Sequence, residues 1–241
     1  MHSLKFRTVT AVLLSAVLLV ATVAASSSAD LAAARTARDH ADVETLRKAL
    51  DSARADAKRQ NSADSYQYVA QLDLWLCEAA KVHSDDKQTK SAAQDGISAA
   101  EKAVALDSKS SEAHRLLGDL RGELIPHTFA GGMRYGKRAA SELDKAIELD
   151  PKNANALIGR AIGYYFTPST FGGSKDKAAD LLKKALEIDP SSDTAHIWLA
   201  RVYLEQAKHN DANREIAEAL RLNPEREFAK TVQKLVLTRT R

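Results

Sequence analysis

Apolar residues in this chain fall along one side of successive helices, and the stripes break at a recurring place. Leu143, Ala146, Ile147 and Leu149 share a helical face, as do Leu181, Leu182, Ala185, Leu186 and Ile188. Each stripe ends in a similar short pattern. It reads Ala103-Val104-Ala105-Leu106-Asp107-Ser108, then Ala146-Ile147-Glu148-Leu149-Asp150-Pro151. It returns as Ala185-Leu186-Glu187-Ile188-Asp189-Pro190 and Ala219-Leu220-Arg221-Leu222-Asn223-Pro224. In three copies a proline closes the pattern. It donates no hydrogen bond and pushes the preceding residue out of the helical region, so the helix stops. Ser110 and Ser111, Asn153, and Ser191 and Ser192 follow, side chains suited to accept from the free amides of a next helix. The chain therefore reads helix, stop, cap, helix. Two outer stretches extend the pattern. Leu31, Val43, Leu46, Ala49 and Leu50 predict an N-terminal helix within 30–60, and Phe228, Val232, Leu235 and Val236 predict a closing helix within 225–241.

The motif Asp and Asn residues stand at 107, 150, 189 and 223, so the steps are 43, 39 and 34. A repeat at such spacing means stacked supersecondary units, none of which can bury its apolar face alone. The final unit resembles a tetratricopeptide repeat. Leu199, Ala200 and Tyr203 fit its first helix, Ala212, Ile216 and Ala219 its second, and Pro224 closes it. The unit before matches at Leu157, Ala161, Tyr164, Ala178, Leu182, Ala185 and Pro190. The one before that matches at His114, Leu117, Gly118, Ala139, Leu143, Ala146 and Pro151. The resemblance implies an all-α solenoid of antiparallel helix pairs over 63–224, with about three or four repeats and capping helices at both ends. An N-terminal helical segment over 26–62 precedes the array.

The long steps come from inserts between the two helices of a unit, near 126–134 and 168–174. Their sequences are alike: Pro126-His127-Thr128-Phe129-Ala130-Gly131-Gly132 and Pro168-Ser169-Thr170-Phe171-Gly172-Gly173. Proline ends the first helix, and the paired glycines permit positive φ before the second. Two readings are open. Phe129 and Phe171 plug apolar gaps at the edge of the solenoid, or Phe129, Gly131, Gly132, Phe171, Gly172 and Gly173 form a paired binding lip. The resemblance also implies a concave groove lined by first helices. Its candidate positions include Arg115, Asp119, Asn155, Ile158, Ile162, Tyr165, Ile197 and Arg201, with Tyr165 and Phe166 alternatively core residues under the insert. Some tetratricopeptide proteins clamp a terminal carboxylate with Lys, Asn and Arg. Ile158 and Ile162 stand where such a clamp wants polar groups, which argues against a chaperone-tail receptor.

Candidate chemistry is sparse. The seven histidines show no metal spacing, and there is no Cys-x-x-Cys, no Gly-x-Ser-x-Gly turn and no phosphate loop. His114 and His196 recur at one repeat position, which points to packing. No metal, cofactor or catalytic residue is expected. Cys77, the single cysteine, sits among Leu74, Trp75 and Leu76 and reads as a buried thiol.

Composition adds two points. Lys and Arg number 35 against 32 Asp and Glu, a formal charge of +3. Interspersed, near-neutral charge gives no nucleic-acid footprint. At the N-terminus Lys5 and Arg7 precede an apolar run from Val9 to Ala25 that ends in Val23-Ala24-Ala25, the form of a cleaved export signal over 1–25. An uncleaved anchor over 9–25 would be the only membrane contact. The expected protein is an exported, periplasmic or secreted, non-catalytic scaffold that binds another protein or peptide through its groove. The alternative is a solute-binding accessory protein of a periplasmic transport system, with the inserts closing a small-molecule pocket. Homo-oligomerisation through the end of the array is a further expectation.

Overall fold

The computed structural model describes residues 30–128 and 130–239 of the 241-residue chain. The export signal over 1–25 and Phe129 of the first insert lie outside the described residues. A first helix, α1, covers 30–39. It is followed by α2 (Val43–Gln60), α3 (Ala63–Val82), α4 (Asp86–Leu106), α5 (Ser111–Glu123) and α6 (Lys137–Leu149). Then come α7 (Ala154–Phe166), α8 (Lys175–Ile188), α9 (Asp193–Glu205), α10 (His209–Leu222) and α11 (Glu227–Arg239). Among the described residues there is no strand. Helices α3 with α4, α5 with α6, α7 with α8 and α9 with α10 form the most extensive contacts. The fold is an α-solenoid of stacked helix pairs.

The recurring motif builds the same joint each time. The backbone N–H of Asp107, Asp150 and Asp189 closes onto the carbonyls of Ala103, Ala146 and Ala185 at 2.9, 2.9 and 2.8 Å. Each carboxylate then accepts from the amide two residues on, at Lys109, Lys152 and Ser191, over 3.0, 2.9 and 3.0 Å. Ser110, Asn153 and Ser192 cap the next helix, accepting from Ala113, Ala156 and Ala195 at 3.1, 2.9 and 3.3 Å. Ser111 and Ser191 do not cap. Ser111 donates to the Ala146 carbonyl and Ser191 to Asp189. The motif alanines 103, 146, 185 and 219 are fully buried. Their small size lets paired helices approach closely.

The fourth copy departs from the others. Its cap position holds Arg226, whose side chain cannot accept a hydrogen bond. Arg226 is 1% exposed and reaches inward to Asp39, Glu78 and Asp193 at 3.2, 2.8 and 3.5 Å. Those partners lie on α1, α3 and α9. Helix α11 packs on α9 and α10 and also touches α3. One buried guanidinium thus ties the start of the solenoid to its end.

The stretch over 30–60 is two helices rather than one. Ala41 takes a positive φ of 54°, and Asp42 caps α2 by accepting from the Thr45 amide at 3.0 Å. The capping signal at Asp42 outweighs the continuous apolar stripe that suggested one helix.

Candidate functional site

Successive first helices α3, α5, α7 and α9 pack on one another, whereas the second helices have no comparable mutual contact. The first helices therefore lie on the inside of the curve. Their inner face has two unlike halves.

Around α5 the inner face is ionic and closed. Arg115 is 4% exposed. Its Nη1 donates to Asp119 at 2.7 Å, its Nε and Nη2 to Glu112 at 2.9 and 2.6 Å, and its Nη2 also to Gln71 on α3 at 2.7 Å. Asn153, the α7 cap, donates to Ser111 at 2.9 Å and to Glu112 at 3.4 Å. Burial pushes Asp119 up to about 6 against the pull of Arg115, while Arg115 and Asn153 hold Glu112 below its ordinary range despite burial. Gly159 makes room for this cluster. A Cβ there would lie 2.1 Å from an Asp119 carboxylate oxygen.

Around α7 and α9 the inner face is aromatic and partly open. Phe166 is 60% exposed, while Tyr165 and Trp198 are nearly buried. Tyr165 and Phe166 rings meet edge-on at 4.9 Å, and Trp198 lies 5.8 and 5.7 Å from them. Phe228 of α11 extends the group at 5.9 Å from Trp198. The Arg201 guanidinium sits among the rings, 4.5 Å from Trp198, 5.3 Å from Tyr165 and 5.7 Å from Phe166. Its Nε is buried without an acceptor. Lys175 lies over Tyr165, 3.9 Å from the ring centre, and donates to the Tyr165 carbonyl.

The expected groove residues thus divide. Tyr165 and Arg201 come together, and so do Arg115 and Asp119. Asn155 is exposed and Ile162 half-buried. Ile158 and Ile197 are core residues at 4% and 0% exposure, and Arg115 is saturated by its own neighbours. These three do not face an incoming chain, because close approach of α7 and α9 covers the isoleucines. Tyr165 belongs to the core, and Phe166 does not. Trp198 and Phe228 were missed as site residues. Trp198 lies three residues before Arg201, a spacing that places both on one helical face.

The inserts share one design. Gly131 follows Phe129 by two residues, as Gly173 follows Phe171. A Cβ on Gly131 would lie 2.2 Å from the Ile125 carbonyl oxygen, and one on Gly173 1.7 Å from that of Thr167. Each carbonyl belongs to the residue before the insert proline. Positive φ falls one position earlier, on Ala130 (53°) and Gly172 (90°). The expectation that glycine pairs supply positive φ is therefore corrected. In the first insert an alanine does so, and Gly131 and Gly132 do not. Phe171 is 82% exposed, which overturns the reading of that ring as a plug. Gly132 opens a π turn over Gly132–Gly136, and Ser169–Phe171 form a 3-10 turn.

The two histidines at equivalent repeat positions serve packing. His114 pairs with Glu142 at 2.6 Å and His196 with Glu215 at 2.7 Å, equivalent contacts in two repeats. The middle repeat replaces this pair with Leu157 and Leu181. Cys77 is buried, and desolvation pushes its thiol well up. A polar cleft of about 300 Å³ opens between α2, α3 and α4, lined by Arg47, Arg54, Asp73 and Asp95 among others. Among the described residues no group of three His, Cys, Asp or Glu side chains is placed to hold a metal ion, and no helix is long and apolar enough to cross a membrane.

Comparison with known proteins agrees with this geometry. Residues 173–235 match the tetratricopeptide repeat family. The matched stretch runs from α8 through α10 and into α11, so it includes Lys175, Trp198, Arg201 and Arg226. A thermophilic tetratricopeptide protein of Thermus thermophilus is similar in structure, with a TM-score of 0.59 and 19% identity over 80% of this chain and 91% of that one. The Pseudomonas aeruginosa protein pilF aligns with a TM-score of 0.48 and 20% identity, covering 76% of this chain and 71% of that one. YrrB, described as a tetratricopeptide protein with an unusual peptide-binding site, aligns at 0.45 and 16% identity over 80% of this chain and 93% of its own. At these identities the likeness concerns fold. No curated protein matches the sequence.

Proposed function

We propose that the chain is an exported, non-catalytic scaffold that holds another protein or a peptide on the aromatic half of its inner face. One observation carries this reading. Phe166 is a large apolar side chain, 60% exposed, and it stands on the inner face at the edge of a packed aromatic group. Aromatic anchors beside an arginine are what polypeptide-binding surfaces concentrate. The repeat fold supports the reading, because stacked units offer an extended inner surface for a partner.

Panning a random peptide-display library against the full chain tests the proposal. Enriched peptides are expected to lose about ten-fold in affinity on Phe166→Ala, a loss typical of an interface anchor. Met133→Ala, at an exposed residue of the first insert, is expected to leave them unchanged. Peptides indifferent to Phe166→Ala would overturn the inner-face assignment.

Export rests on residues 1–25, with Lys5 and Arg7 ahead of the apolar run. N-terminal sequencing of the chain from its own cells is expected to start at Ser26. An intact Met1 on a chain retained in the cytoplasm would refute export.

A further inference from the structure

Within the inner-face reading just proposed, on which it rests, we infer that Arg201 and its aromatic frame receive an acidic side chain of the bound polypeptide, with an apolar neighbour lying on Phe166. Asp119, Ile162 and Arg201 occupy equivalent positions, separated by the motif steps of 43 and 39. In α5 the position carries a carboxylate paired with the arginine one turn before it. In α9 it carries the arginine, and the residue one turn before is the buried Ile197. The internal partner is therefore missing by construction.

Other carboxylates nearby in sequence are engaged. Glu205, one turn after Arg201, pairs with Arg239 at 2.8 Å. Asp176, next to Lys175, accepts from Gln206 at 2.7 Å. Among the described residues Arg201 makes no ion pair, and its buried Nε has no acceptor. Arg115 and Arg226, the two buried arginines, are by contrast each held by two or three carboxylates.

Chemistry narrows the ligand. A guanidinium lying against ring faces keeps its N–H groups in its own plane, where a carboxylate meets two of them at once. Surrounding rings exclude water and strengthen that contact. Lys175, 3.9 Å from the centre of the Tyr165 ring, adds a second positive charge. Phe166 offers apolar surface at the edge of the same frame. One guanidinium, without several converging donors, suits an Asp or Glu side chain within a polypeptide better than a chain terminus.

Fluorescence anisotropy with two labelled ten-residue peptides tests this. Both are acetylated and amidated. One alternates Asp with Phe and Leu, and the other has Asn for every Asp. The acidic peptide is expected to bind the full chain at least ten-fold more tightly, and added salt is expected to shrink the difference. Arg201→Gln is expected to abolish the preference while circular dichroism shows a melt lowered by no more than a few degrees, since ring contacts but no ion pair are lost. If that variant misfolds, the two peptides on the unaltered chain still decide the matter.

Equal affinity of the two peptides would overturn the inference and leave inner-face binding standing. Binding by neither would overturn both. An acidic preference that survives Arg201→Gln would move the charge recognition elsewhere. A third peptide, the neutral one with a free C-terminus, would overturn the side-chain assignment if it bound as tightly as the acidic one. Light scattering that shows dimers dissolved by Phe166→Ala would make a second copy the occupant and overturn the inference as well.

Discussion

Two arginines on the inner face of this solenoid sit in opposite surroundings. Arg115 meets Glu112, Asp119 and Gln71, all within 2.9 Å, and is buried. Arg201 meets three aromatic rings and no carboxylate among the described residues. The first arrangement joins α3 to α5 and leaves nothing for a partner. The second leaves a cation with unmet donors beside an exposed phenylalanine. A charged side chain on a concave face is thus no sign of binding by itself. What counts is whether the chain already supplies the opposite charge.

The contrast predicts opposite outcomes for matched substitutions. Arg115→Ala strands the poorly solvated Asp119 and removes the cation from the partly exposed Glu112. Breaking a buried pair from one side costs about 3–5 kcal/mol, and urea denaturation is expected to show a loss of that size. Arg201→Ala breaks no ion pair, so the same measurement is expected to show about 1 kcal/mol or less, from lost ring contacts. Comparable losses at the two sites would mean that Arg201 has a structural partner and that the two halves are alike.

The half that carries α3 and α5 should also respond to pH more strongly than the half that carries α7 and α9. Asp73 on α3 is fully buried, and burial pushes it up to about 7 in spite of its 3.0 Å contact with Arg54. Its second carboxylate oxygen has no partner. Gly96 lets α4 press against it, since a Cβ there would lie 2.8 Å from that of Asp73. The folded state therefore holds a proton that the unfolded chain releases near its ordinary value of 3.8. Stability from this group is fully present below about 4 and is lost as pH rises toward about 7. Asp119, raised to about 6, acts in the same direction. So does His196, which Glu215 raises, because its contribution fades as pH climbs through its folded value. Denaturation midpoints are expected to fall from pH 5 to pH 8. Asp73→Asn should recover about 2–4 kcal/mol at pH 8 and less than half as much at pH 5. A variant no more stable than the parent at pH 8 would show that Arg54 fully offsets the burial of the Asp73 charge.

Much of this architecture was legible in the chain, for a physical reason. Helix ends are local events. Asp-Pro and the following Ser or Asn act within a few residues, so Asp150 and Asn153, or Asp189 and Ser192, announce their joints without tertiary help. The like sequences of the inserts were visible too, but the roles of their residues were not. Ala130 rather than a glycine takes positive φ, and Gly131 and Gly173 are demanded by a carbonyl several residues back in the chain. Local permissiveness was readable, and the approach of a distant atom was not. The inner face failed similarly at Ile158 and Ile197. A helical stripe tells which side a residue is on, but how closely α7 and α9 meet decides whether it is reachable. Arg226 was hidden because its partners lie 187, 148 and 33 residues away.

One loop design serves both halves of the solenoid. The first follows the ionic α5 and the second follows the aromatic α7. Gly131→Ala and Gly173→Ala each drive a methyl group into a backbone carbonyl. Both are expected to cost about 1–3 kcal/mol, the usual range for forced overpacking, read as a fall in urea midpoint. Only Gly173→Ala should also weaken peptide binding, because its loop leads directly to Lys175. Equal binding losses from the two variants would mean that the first insert also contributes to the peptide site.

Phe171 gives the smallest expected effect and the cleanest separation of roles. Its ring is 82% exposed, in the 3-10 turn that precedes Gly172 and Gly173. An exposed ring that buries little area contributes little to folding, so Phe171→Ala should change stability by no more than about 0.5 kcal/mol. The ring lies five residues after Phe166 and four before Lys175 in the chain, the two residues that flank the proposed peptide site. Affinity for a peptide selected on the full chain is therefore expected to fall a few-fold on Phe171→Ala, less than on Phe166→Ala. Unchanged affinity would confine the peptide site to the helices and leave the second insert a simple chain reversal. A large stability loss would instead mean that the ring is folded against the solenoid, which would return Phe171 to the role of a plug.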